Sequence, residues 1–318
     1  MTSTADTPSS YSDLRTQLES LTTEAFRSEL SDIDQLPTLE IARIMQGEDA
    51  TVPSAVAAQL PRIATAIDAT AERMARGGRL VYAGAGTAGR MGVLDASECP
   101  PTFNTDPTAV VGLIAGGPGA LITSVEGAED SKELAAADLD ELHLTAADTV
   151  VGISASGRTP YAVGAVEHAR DAYGALTIGL SCNANSPLAA AADHGLEIVV
   201  GPELLTGSTR LKAGTAQKLV LNMLSTITMI RLGKTYGNLM VDLRASNEKL
   251  RARSRRIVSL ATGAGDETIE AALTQADDEV KTAILIVLAG VDGRTAVRLL
   301  DAANGHLRAA LRAATENS

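Results

Sequence analysis

The 22 residues from Leu80 to Pro101, LVYAGAGTAGRMGVLDASECPP, constrain the fold more than any other stretch. Leu80-Val81-Tyr82 is a short apolar run of strand-prone side chains, followed closely by Gly84, Gly86 and Gly89. Glycine lets the backbone turn sharply and approach a ligand, so the pattern predicts a buried strand, a tight turn and a helix. A helix opening there aims its free N–H groups and the positive end of its dipole at an anion. Asp95 and Glu98 lie one helical turn apart, and Pro100-Pro101 is expected to end the helix. An anion-cradling turn so near a candidate acid or base points to an enzyme.

The glycine spacing G-x-G-x-x-G also occurs in dinucleotide sites, but alone it is a weak signal. A dinucleotide fold carries an acidic residue at the end of its second strand to hold the ribose. Here the second strand is expected at Ala109 to Ile114, and it runs into Ala115-Gly116-Gly117 with no carboxylate. A structural strand–helix turn is the bland alternative. A sugar-phosphate site fits the remaining features best.

A chain of 318 residues has room for about two domains, or one large α/β domain with additions. Hydrophobic residues make up 45% of it but aromatic ones only 2%, so the core must be built from Ala, Val, Leu and Ile, as suits helices on a parallel sheet. The same scarcity removes the stacking platforms of single-strand nucleic-acid binders. A formal net charge of −12 repels polyanions, so no nucleic-acid partner is expected. A small anion can still bind, because nearby dipoles and cations outweigh a screened, distant surface charge. Cys99 and Cys182 give neither a disulfide framework nor metal spacing, and the four histidines are scattered. No secretory signal and no membrane span is legible. The expectation is a cytoplasmic protein with no metal, no cofactor and no membrane partner.

The first residues, Met1 to Tyr11, are polar and expected to be disordered. A helix is expected over Asp13 to Leu30, another from Pro37 through Met45, and an amphipathic one from Pro53, with Val56, Leu60, Ile63, Ile67 and Met74 on one stripe. From Leu80 to Gly233 strand and helix signals alternate, the signature of a doubly wound parallel sheet. After the second strand come an acidic helix over Ser131 to Leu142, a strand over Asp148 to Ile153 and a helix over Pro160 to Tyr173. Strands at Leu176 to Leu180 and Leu196 to Val200 flank a short helix at Ser186 to Ala192. A buried helix spans Leu211 to Leu232. The tail reads as a basic helix over Asn247 to Arg256 and then three helices to Leu311, broken at Gly263-Ala264-Gly265 and at Gly290 to Gly293. The chain thus divides into an N-terminal tail and helix (1–35), an α/β domain with its leading helices (36–246) and a small C-terminal helical subdomain (247–318).

Ser154-Ala155-Ser156-Gly157-Arg158-Thr159-Pro160 follows the third strand. Three hydroxyls around one glycine, opening onto a helix that starts with proline, make a compact anion cup, and no Gly-Lys-Ser/Thr follows to suggest a nucleotide triphosphatase. An ordinary serine turn with a helix cap is the plain alternative. Both loops fall at carboxyl ends of parallel strands, where such sheets bind ligands. Glu98, held beside two prolines, and Glu129, between glycine-bearing turns, are the candidate acid and base, although a lone surface acid is the commoner finding. Thr206 to Thr215 leads into the buried helix, and Ser208 and Lys212 there are candidates for touching a sugar; a capping box would look similar.

Together these residues resemble the N-acetylmuramic acid 6-phosphate etherase family, whose fold is the sugar isomerase (SIS) domain, a flavodoxin-like three-layer sandwich. The resemblance runs from Leu36 to Leu311 and rests on Gly84-Ala85-Gly86-Thr87, Leu94-Asp95-Ala96-Ser97-Glu98-Cys99-Pro100-Pro101, Val125 to Asp130, Ser154 to Tyr161 and Thr206 to Lys218. The Asp-Ala-Ser-Glu-Cys-Pro-Pro run is the most specific mark. The resemblance implies cleavage of the D-lactyl ether of a phosphorylated amino sugar by elimination and rehydration, with Glu98 as proton donor and Glu129 as a second acid/base group. It implies that Gly86, Thr87, Ser154, Ser156, Gly157 and Thr159 hold the sugar phosphate, and that the protein is a homodimer. Many relatives have Ser after Gly-Thr, where this chain has Ala88. A non-catalytic regulator of the glucokinase-regulator type, or a phosphosugar isomerase, would share the loops.

Overall fold

A computed structural model describes residue 18, residues 21–242 and residues 248–316. The disorder expected for Met1 to Tyr11 lies outside those residues. At the centre is a five-stranded parallel sheet of order β2-β1-β3-β4-β5, formed by Leu80–Gly84 (β1), Val110–Ile114 (β2), Thr149–Ser154 (β3), Leu176–Ser181 (β4) and His194–Glu197 (β5). The central strands β1, β3 and β4 are buried throughout, whereas the edges β2 and β5 are partly open.

Strand alternation sends side chains to two separate cores. Leu80 and Tyr82 pack with Ile63 and Ile67 of α3 (Leu60–Ala75), Ala96 of α4 (Gly86–Phe103) and Val220 and Leu224 of α8 (Lys212–Arg231). Val81 and Ala83 pack instead with Leu139 of α5 (Lys132–Glu141) and Tyr161 and Ala165 of α6 (Pro160–Tyr173). The result is the three-layer sandwich that the alternating pattern predicts. Two short helices, α1 (Thr38–Asp49) and α2 (Val52–Ala57), lead into α3, and α7 (Pro187–Ala191) joins β4 to β5.

The strand order places a switch point between β1 and β3. From β1 the chain crosses outward to β2, and from β3 it crosses the other way to β4. Gly84 is level with Ile153, so the turn after β1 and the loop after β3 emerge side by side at the carboxyl edge.

Several expectations are corrected. Residues 21–30 form short 3-10 turns (Thr22–Glu24, Ser28–Leu30) in place of an α-helix. Pro100 and Pro101 do not stop α4, which runs on to Phe103 and ends at Asn104 in the left-handed conformation. Proline's fixed φ suits a last helical turn, and the loss is confined to the donors for the carbonyls of Ala96 and Ser97. A small hairpin, β6 (Thr235–Tyr236) with β7 (Leu239–Met240), was not foreseen. The tail holds five helices among the described residues: α9 (Glu248–Thr262), α10 (Asp266–Gln275), α11 (Val280–Ala289), α12 (Gly293–Ala302) and α13 (Leu307–Glu316). The two extra breaks fall where Asp277 with Asp278, and Asn304 with Gly305, take positive φ. These helices share one apolar core that already takes in Tyr236, Leu239 and Val241, upstream of the expected boundary at 246/247.

Candidate active site

The serine loop is a self-bonded cluster. Ser154 Oγ lies 2.8 Å from Thr159 Oγ1 and 3.2 Å from Ser156 Oγ, and it accepts the Gly157 N–H at 3.0 Å. The Arg158 N–H donates to Ser156 Oγ at 3.1 Å. Gly157 makes this turn possible: its φ is +69°, and a Cβ there would sit 2.4 Å from Ser186 Cβ. Behind the loop α6 opens at Pro160, with Thr159 at the cap position and no side-chain cap on the helix. Three hydroxyls that satisfy one another, at an uncapped helix start, can rotate their protons to an incoming phosphate without stranding another group.

Beside it, the glycine turn brings the start of α4 against the end of β1. A Cβ at Gly89 would meet Gly84 O at 2.6 Å, so glycine is what permits this approach. Gly86 has φ +53°, and Thr87 follows it at the cavity wall. From the other flank comes Glu129, carried on a 3-10 turn (Ala128–Asp130) whose Ala128 is buried against the α5 and α6 side of the sheet. Arg90 of α4 steadies the loop before it, donating to the carbonyls of Ala120 at 2.7 Å and Leu121 at 2.9 Å.

These groups enclose a cavity of about 660 Å³, a size suited to a small-molecule ligand. Gly86, Thr87, Glu129, Ser154, Ser156 and Thr159 all line it. A smaller cavity of about 320 Å³ shares Ala85, Gly86 and Glu129 with it, so Glu129 stands between the two. Among the described residues no group of three or more His, Cys, Asp or Glu side chains could hold a metal ion, and no helix is long and apolar enough to cross a membrane. Cys99 is buried and has its thiol pushed up to about 12, by burial first and the Asp95 charge second, which disfavours the thiolate.

Comparison with known proteins gives this arrangement its context. Residues 62–170 match the model of the glucokinase regulatory protein N-terminal SIS domain, and residues 130–227 match the SIS domain. An N-acetylmuramic acid 6-phosphate etherase from Streptomyces avermitilis is 80% identical over 96% of this chain and 98% of its own length. The chain belongs to the N-acetylmuramic acid 6-phosphate etherase family. An etherase from Mycolicibacterium smegmatis is 54% identical over 92% of this chain and 98% of its own. Among solved structures, a phosphoheptose isomerase from Francisella tularensis is 20% identical with a TM-score of 0.47, covering 61% of this chain and 100% of that one.

The residues expected at the site do not all meet. Gly157 shapes the serine loop without lining the cavity. Lys212 is buried and its Nζ donates to Glu48 at 2.7 Å, while Arg27 donates to the same carboxylate at 2.5 Å. The opening of α8 is closed from within, since the Lys212 and Ala213 N–H groups both donate at 3.0 Å to the buried carboxylate of Glu203. Lys212 is therefore tied into the fold, and Ser208 lies outside the cavity wall where its neighbour Thr209 stands.

Glu98 is the largest departure. It projects from the exposed side of α4, twelve residues past Gly86, or about 18 Å along a helix axis. It does not line the cavity. One turn before it, Asp95 is buried and accepts from Tyr82 Oη at 2.8 Å, Asn222 Nδ2 at 2.7 Å and Ser225 Oγ at 3.1 Å. Burial pushes the Asp95 carboxyl up despite those bonds, and the cluster locks α4 to α8. The direction in which Glu98 points is thus held firmly.

Other cavity residues were missed from sequence. Leu21 and Glu24 reach the cavity because Asn183, after β4, clamps their segment: its Oδ1 accepts from the Thr22 N–H at 2.8 Å, and its Nδ2 donates to Thr23 Oγ1 and Ala155 O, each at 3.0 Å. Arg158 adds a cation at the rim and Gln217 of α8 an amide.

Proposed function

We infer that this protein cleaves the D-lactyl ether of N-acetylmuramic acid 6-phosphate, releasing D-lactate and N-acetylglucosamine 6-phosphate. The observation that carries this is the 80% identity to an etherase across 98% of that relative's length, joined to a cavity that sets a hydroxyl cup beside a carboxylate. In the open-chain sugar C1 is an aldehyde, which acidifies the C2 proton and makes the C3 ether oxygen a β leaving group. A base removes the C2 proton, the C3–O bond breaks as that oxygen takes a proton, and water then adds at C3. Ser154, Ser156, Thr159, Thr87 and the start of α6 hold the phosphate in this reading, and Glu129 serves the sugar as an acid/base group.

The second carboxylate comes from another copy of the chain. Glu98 cannot reach the cavity of its own chain, yet elimination and rehydration call for proton transfer at both C2 and the C3 oxygen. Leu94, one turn from Glu98 and half exposed, lies on α4, and the partly exposed Ile227 and Ile230 lie on α8, which packs against it. A two-fold pairing through α4 and α8 covers these apolar groups and carries Glu98 toward the partner's cavity, giving a homodimer with two composite sites. A cytoplasmic location fits the two free cysteines.

Of the other readings, the glucokinase-regulator model matches only residues 62–170, whereas the etherase relatives match nearly end to end. Incubation with N-acetylmuramic acid 6-phosphate tests the function: D-lactate should appear in step with N-acetylglucosamine 6-phosphate. Sugar-phosphate binding without lactate would refute it.

A further inference from the structure

Gln217 carries an unpaired donor in the folded chain. The residue is 1% exposed and its Nε2 makes no hydrogen bond, and it lines the same cavity as Thr87, Ile153 and Ser154. Buried polar groups are nearly always paired, so an orphan in a cavity wall points to a partner that arrives from outside. Five buried side-chain polar atoms lack partners among the described residues, and Gln217 Nε2 alone among them belongs to this cavity's wall. A neutral amide, with its donor neither exposed to water nor bonded to protein, is suited to an oxygen that gains charge during reaction.

We propose that the Gln217 amide N–H is the donor that stabilises the anionic C1 oxygen formed when the C2 proton leaves. The inference rests on the etherase reading above. In that step the C2–H bond breaks, its electron pair forms the C1–C2 double bond, and the carbonyl pair moves onto the C1 oxygen. When lactate departs the same charge flows back to expel it from C3, and the proton removed from C2 is returned through the carboxylates. The hydroxyl cup grips the phosphate at the far end of the sugar, so its donors are engaged elsewhere. Gln217, on α8 rather than on the serine loop, addresses a different part of the ligand.

The test is Gln217→Met, which keeps length and removes the donor, alongside Gln217→Glu, which keeps the shape and replaces the amide with a carboxylate. Steady-state lactate release should fall on the order of 10²- to 10³-fold in kcat, with KM within about threefold of wild type. Deuterium entry at C2 in heavy water should slow in parallel, and calorimetric binding of N-acetylglucosamine 6-phosphate should persist as the check on fold and phosphate grip. If Gln217→Met does not fold, Gln217→Glu carries the same measurements. An unchanged kcat, or a loss confined to KM, overturns the assignment while leaving the etherase reading intact. Wild-type protein that releases no lactate overturns both.

Discussion

The two ends of the central sheet are built to opposite specifications. At the amino end, Asp148 ahead of β3 accepts from the Arg79 N–H at 2.7 Å, from Arg79 Nη2 at 2.9 Å and from the Thr145 N–H at 2.7 Å. Burial would raise that carboxyl, but the Arg79 guanidinium and the backbone donors outweigh it and hold it below the usual range. Asp193 does the same for the start of β4, accepting from the Thr177 N–H at 2.9 Å and its hydroxyl at 2.8 Å. At the carboxyl end, by contrast, hydroxyls bond one another and two backbone N–H groups of their own loop, a helix start lacks a side-chain cap and an amide nitrogen goes unpaired. Carboxylates pair the strand starts at one edge, although Thr149 Oγ1 there stays unpaired, and the other edge keeps hydroxyl and amide donors around a cavity. Polar groups at the first edge secure the fold, whereas those at the second are the ones proposed above to serve a ligand, at some expense to stability.

That contrast can be broken by exchanging what each edge does. Glu129→Gln should reduce lactate release by about 10²- to 10⁴-fold and leave the melting temperature unchanged, because the group is exposed and its proposed role is proton transfer. Asp148→Asn should do the reverse, costing about 3 kcal/mol of stability in denaturant titrations while turnover per folded molecule persists. The sign of its pH dependence follows from its lowered value: the Asp148 contribution is present above the unfolded carboxylate range of about 4 and is lost as pH falls through its folded value. Lys212→Met should lower stability by about 2 kcal/mol with KM little changed, since the ammonium pairs with Glu48. Ser154→Ala should raise KM about tenfold, near 1.4 kcal/mol, with a small change in melting temperature. A Lys212 variant with normal stability and a raised KM would contradict the division between the edges.

How much of this was legible in the chain depended on how local the cause was. Pro160 to Tyr173 was placed without error and the buried helix to within one residue at each end, because their boundaries lie in their own residues. The serine cup was readable for the same reason, since its three hydroxyls and its glycine are contiguous. A helix is expected over residues 21–30 from the chain alone; what fixes the turn at Thr22–Glu24 instead is Asn183, about 160 residues away. Lys212 looked like a ligand because Glu48 and Glu203 are distant in sequence. Gln217 was passed over because an unpaired amide can be recognised only after its neighbours are known. Glu98 was identified by its motif, but its exposed direction depends on α4 continuing past two prolines and on Asp95 being locked to α8.

The account stands on two carboxylates from different copies meeting over one phosphate. Co-expressing Glu98→Gln and Glu129→Gln chains tests this most directly, because a mixed dimer rebuilds one intact composite site from two inactive parents. Lactate release should recover to roughly one quarter of the wild-type level under random pairing. Activity no higher than that of either variant alone, from a preparation shown to contain mixed dimers, would contradict it.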